Sequence, residues 1–206
     1  MSVLTLVRDP DRFFEHASDS ESLTGPFAMV TLAAVTSVLS TAVVFFRFAE
    51  ALSSVEKNVI SFSLIIGSVM GFLMVYLGWL VVSVLLYVLV TRVFKSESSG
   101  FRPMFRMAGW AFLPSIPSGL LSAWTSYIVY YGREIPSDPQ QLGSLTSSLS
   151  SHPLFMVSRA GAVMFTLWQG FLWLFVVKHT TELDTRRAGI VALVPSGLII
   201  AVQILG

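Results

Sequence analysis

Five long runs free of charged side chains constrain this chain more than any other feature: Phe27–Phe46, Val59–Thr91, part of Met107–Gly132, Ala160–Val177 and Ala188–Gly206. A bilayer core about 30 Å thick needs roughly 20 apolar residues per helical crossing. Inside it, only a helix or a closed barrel satisfies every backbone polar group. The runs therefore predict an all-α integral membrane bundle of five transmembrane helices, with spans at about 27–46, 59–91, 115–132, 160–177 and 188–206. Composition separates this class from soluble proteins: 54% of the 206 residues are hydrophobic and 12% charged, with a mean hydropathy of +0.74. The polar stretches are too short for a separate soluble domain, so residues 1–206 read as one membrane domain.

Several function classes drop out. The first 26 residues lack an uninterrupted apolar core and a small-residue cleavage site, so they do not read as a signal peptide. With no cysteine, disulfide and thiolate chemistry are excluded, and a net charge of +1 makes no case for nucleic acid. No H-E-x-x-H, G-x-S-x-G or Gly-rich phosphate loop occurs, so no catalytic or cofactor-binding residue is assigned and the expectation is a non-enzyme without cofactors. The best approach to a metal set is His179, Glu182 and Asp184 in "HTTELD", which reads as a solvated turn. His16 and His152 are each alone in wet segments.

Orientation follows from the basic residues. Arg8, Arg12, Arg92, Lys95, Arg102, Arg106, Lys178, Arg186 and Arg187 fall on one side of the expected topology, and Arg47, Lys57, Arg133 and Arg159 on the other. Nine against four predicts a cytoplasmic N-terminus in the cell membrane, with Gly206 outside.

Two segments predict short amphipathic interfacial helices. Over about 9–17, Pro10, Phe13, Phe14 and Ala17 share one face. Over about 101–112, Phe101, Met104, Phe105, Ala108 and Phe112 do so, with Arg102 and Arg106 on the polar side. Such helices lie in the headgroup plane with cations towards phosphates. The second run, 33 residues or about 50 Å as a helix, exceeds one crossing. Its Gly67-x-x-x-Gly71 spacing either offers a face for a second copy or reflects the ordinary glycine content of membrane helices.

"GWAFLPSIPSG" places Pro114 and Pro117 inside an uncharged run. Both lack the N–H that would bond the carbonyls of Trp110 and Leu113, and both push the preceding residue from helical angles. Gly109, Pro114 and Pro117 thus mark a helix break between the surface helix and the third span, with Ser115, Ser118 or neighbouring helices satisfying the freed carbonyls. In the third connection, Asp138-Pro139 starts either a short helix with Leu142, Leu145 and Leu149 on one face or a mobile serine-rich loop.

Transport predicts ionisable groups at membrane depth, and none of the runs has one. Gln169 and Gln203 are the deepest strongly polar side chains and read as interhelical hydrogen-bonding groups.

"DPDRFFEH", "SLTGPF" and "GWAFLP", in that order, resemble the Yip family, the Ypt/Rab-interacting membrane proteins, as does "VKHTTELDTRRAGIVALVP" before the last span. The resemblance covers nearly the whole chain and implies five spans with a cytoplasmic N-terminus. Gly25 and Pro26 match the family motif, whereas Ser22 replaces its aspartate and Gly109-Trp110 with Pro114 replaces Gly-Tyr-x-x-x-Pro. The long N-terminal region of eukaryotic members is missing, which points to a prokaryotic, archaeal-type member, so a GTPase-related role is not carried over.

The reading is a non-enzymatic multi-pass protein that organises membrane or binds partners at its cytoplasmic face. The candidate surface for anionic lipid headgroups or another membrane protein is Arg12, Arg92, Lys95, Arg102, Arg106, Arg186 and Arg187. These residues equally serve to set topology. A small permease or channel-like subunit is the alternative.

Overall fold

A computed structural model describes residues 3–51, 54–98, 100–136 and 139–205. Helices dominate, and no β-strand forms among the described residues. In chain order they are α1 (Val3–Arg8), α2 (Pro10–Ser18), α3 (Thr24–Ala51) and α4 (Ser54–Val88), which continues as a π-turn over Leu89–Val93. There follow α5 (Phe101–Trp110), α6 (Ser115–Tyr130), α7 (Pro139–Ser150), α8 (Pro153–Thr180) and α9 (Thr185–Leu205).

Local chemistry explains where these helices start. Asp9 accepts the Arg12 N–H at 3.1 Å, and Pro10 occupies the first helical position of α2, where its missing donor costs nothing. His152 and Pro153 repeat the device at α8. Asp184 caps α9 by accepting the Arg187 N–H at 2.8 Å. That accounts for one acid of "HTTELD" as a helix cap.

Four helical stretches are long and apolar enough to cross a bilayer: Thr24–Arg47, Phe62–Val93, Pro153–Thr180 and Thr185–Leu205. The third expected span falls short. α6 has 16 residues, about 24 Å of rise against a core of about 30 Å. It packs closely on α3, where a Cβ on Gly119 would come within 2.7 Å of the Thr36 backbone.

The proline joint works differently from the sequence expectation. Residues 111–114 form tight turns in which Leu113 N–H donates to Trp110 O and Ile116 N–H to Leu113 O, both at 3.2 Å. Bonds of i→i+3 type thus take the two carbonyls that the prolines leave free, with no call on the serine hydroxyls. The break is confined to 111–114. Ile116 is helical, and Pro117 sits in the first turn of α6, where proline is tolerated.

The apolar faces of the short helices pack against the rest of the protein. Phe13, Phe14, Met104, Met107 and Ala108 are buried, together with Leu6 of α1, a helix the sequence reading did not anticipate. They form one core with Trp79 and Leu86 of α4, Trp173 and Val177 of α8, and Val191 of α9. Their apolar faces bind the end of the bundle because packing against its apolar side chains removes the same surface from water. At the opposite end α7 is a helix, and Leu145 and Leu149 pack with Val129 and Tyr130 of α6. The side chain of Leu142 lies outside the described residues.

Candidate functional site

The face formed by α1, α2, α5 and the α8–α9 turn is built on a knot of small and large residues. Gly25 leaves room for the Trp110 indole, which a Cβ there would overlap. Gly109 faces Pro26 and Trp79; its Cβ would fall 2.7 Å from Pro26 Cβ and 3.0 Å from Trp79 Cζ2. Trp79 stacks on Phe105 with ring centroids 4.0 Å apart and donates its indole N–H to the Phe105 carbonyl at 2.8 Å. Phe13 meets Trp110 edge-on at 5.1 Å. The segments "DPDRFFEH", "SLTGPF" and "GWAFLP" therefore interlock.

The Yip1 domain family matches residues 4–206. The chain belongs to that family. No curated protein and no solved structure matches it.

Two polar ties fasten the Yip1 domain's N-terminal helices. Asp11 on α2 accepts from Lys178 Nζ at 2.7 and 2.9 Å and pairs with His179 Nε2 at 2.7 Å at the end of α8. The hydrogen bonds from Lys178 first, and from His179 second, hold the Asp11 carboxyl below its ordinary value. His179 is thus engaged with α2, and no cluster of three or more metal-ligating side chains occurs among the described residues. Arg106 makes the second tie. It is 7% exposed, and its Nη2 donates to Ser18 O at 2.9 Å and Ala17 O at 3.5 Å. A guanidinium there meets the negative end of the α2 dipole.

The expected cationic surface therefore divides. Arg106 turns inward, because its position on α5 faces the end of α2. Arg12, Arg92, Lys95, Arg102, Arg186 and Arg187 are exposed, and none forms an ion pair with another described residue. Asp9, Glu15, Asp19 and Glu21 lie on or beside α2, so Arg12 stands among carboxylates. Arg92, Lys95, Arg102, Arg186 and Arg187 sit at the ends of α4, α5 and α9, in segments that also carry Glu97, Glu182 and Asp184. The segments meet where Ser98 bridges Thr181 and where Phe101 packs on Tyr87.

Of the two glycines proposed for a second copy, both on α4, a Cβ on Gly71 would lie 3.3 Å from Val38 Cγ1 of α3 in the same chain, and Gly67 has open space. A cavity of about 490 Å³ beside the knot is lined by His16, Ser20, Ser22 and Arg106. A second one, of about 570 Å³, lies within the bundle. Gln169 and Gln203 both line it. Sequence reading treated them as simple interhelical ties and missed the cavity, although the spacing of Ser115, Ser118 and Ser122 on one face of α6 signals a polar wall.

Proposed function

We propose that this Yip1-domain protein is a non-enzymatic membrane organiser whose cytoplasmic face carries anionic headgroups or an acidic partner. The observation that supports this is the set of five exposed, unpaired cations, Arg92, Lys95, Arg102, Arg186 and Arg187, at the ends of α4, α5 and α9. Juxtamembrane cations contribute about 1 kcal/mol each near an anionic surface and act within a Debye length. α6 serves as the fifth crossing. Its N-terminus follows α5 on the cationic face, and Arg133 beyond its C-terminus accepts a hydrogen bond from Arg47 at the far end of α3.

In the test, wild-type protein and the R102Q/R186Q/R187Q variant are purified at low salt, and bound anionic phospholipid is quantified by native mass spectrometry. The variant should retain several-fold less. High salt should erase the difference, and equal retention at low salt would leave these residues a purely topological role.

The transport reading has one supporting observation, the polar cavity within the bundle. Ala33, Val82 and Phe112 in its lining are buried.

A further inference from the structure

The cavity within the bundle is bounded by α3, α4, α6, α8 and α9, and its wall has more hydrogen-bonding groups than protein partners for them. Ser115 Oγ donates to Gln169 Oε1 at 3.3 Å, and Gln203 Nε2 donates to Thr166 Oγ1 at 3.0 Å. Gln169, only 7% exposed, keeps its amide nitrogen without a partner among the described residues. Gln203 Oε1 is buried and unpartnered. Serines in apolar helices commonly return the hydroxyl to the carbonyl four residues back, as Ser83 and Ser196 do. The hydroxyls of Ser118, Ser122 and Ser158 have no such bond among the described residues and line the cavity.

Each buried donor or acceptor left unmade costs about 1–3 kcal/mol. A dry cavity, or one filled by an acyl chain, would carry this cost at Gln203 Oε1 and leave the cavity-facing groups of Gln169, Ser118, Ser122 and Ser158 without a hydrogen-bond partner. Water and a hydrogen-bonding solute relieve them. One charge marks the rim, since Arg159 lines the cavity, is exposed and has no ion-pair partner among the described residues. From Arg159 to Gln169, α8 rises about 15 Å, so the polar wall runs from the cation to the middle of the bundle. The volume of about 570 Å³ lies in the range of small-molecule sites, roughly 300–1,000 Å³.

We propose that this cavity is a water-filled binding site for a small organic anion. Arg159 holds the anionic group, and Ser118, Ser122 and Gln169 hydrogen-bond the rest of the molecule. The site is distinct from the cationic face and does not depend on its role. Gly78 provides a way to close it: the residue lines the cavity, and a Cβ there meets nothing within 4 Å. A larger side chain at that position grows into the empty space.

The native chain has no cysteine, so S118C places a single thiol in the cavity. In full-length protein in zwitterionic nanodiscs, anionic 2-sulfonatoethyl methanethiosulfonate is compared with the cationic trimethylammonioethyl reagent. Each rate is normalised to that with a free thiol. S118C should favour the anion by about tenfold, as expected for a cation focusing its field in a low-dielectric cleft. R159Q should reduce the preference to about twofold or less, and G78L should slow both reagents at least tenfold. A thiol inert to both reagents would mean a dry or lipid-filled cavity and would overturn the proposal. So would a preference that persists in R159Q, or rates unchanged in G78L.

Discussion

Replacing Arg106 by glutamine tests whether this cation is an internal strut or a surface charge. The side chain is 7% exposed and its best hydrogen bond, to Ser18 O, is 2.9 Å. A hydrogen bond to a charged group contributes about 1.5–3 kcal/mol. The contact with Ala17 O at 3.5 Å adds little, because Ser20 N–H also serves that carbonyl at 3.3 Å. The favourable interaction with the α2 dipole, about 0.3–1 kcal/mol, overlaps with the same bond and is not additional. R106Q should therefore cost about 2 kcal/mol, which for a chain of this size lowers Tm by about 4–8 °C. R102Q, at an exposed and unpaired site on the same helix, should change stability by no more than about 0.5 kcal/mol. Thermal unfolding in detergent, followed by circular dichroism, reads the difference. Amide hydrogen exchange should rise over residues 10–18 in R106Q alone. Equal Tm losses in the two variants, or unchanged exchange in α2 of R106Q, would refute the strut. A lipid-binding test that altered Arg102 and Arg106 together would mix the two effects.

The Asp11 tie makes stability depend on acid. Its folded carboxyl titrates below 3.8, so the contribution is complete above that pH and disappears as pH falls through the lower folded value. Because the Asp11 side chain is 47% exposed, D11N should lose only about 0.2–1 kcal/mol at neutral pH, and its acid-unfolding curve should merge with wild type once pH falls below the depressed folded value. At the knot, G109A should destabilise by about 1–3 kcal/mol through contact with Pro26 and Trp79, despite a helix-propensity gain of about 1 kcal/mol. G78A, with open space, should gain up to about 1 kcal/mol. Chemical unfolding of the pair checks the contrast.

Long-range information resided in the sequence wherever one physical requirement acted alone. Lipid demands helices of a minimum length, so the apolar runs located α3, α4, α8 and α9, and Asp9-Pro10 and His152-Pro153 mark helix starts because capping is local. The break before α6 was legible for the same reason, since proline lacks a donor wherever it sits. Its repair was not, because the choice between a serine hydroxyl and an i→i+3 turn depends on backbone geometry over 111–114. Amphipathicity identified the faces of α2 and α5 but not what they cover; a protein core and the acyl boundary of a membrane both take Phe13 or Met104 out of water. Tertiary packing alone decided that Arg106 points at the end of α2 while Arg102 points away. The polar cavity was equally hidden. Serines on α6 and glutamines on α8 and α9 each resemble routine helix-helix ties, and only the bundle shows that their spare donors and acceptors face one space. A helical period states which residues share a face, and the neighbouring helices determine what that face meets.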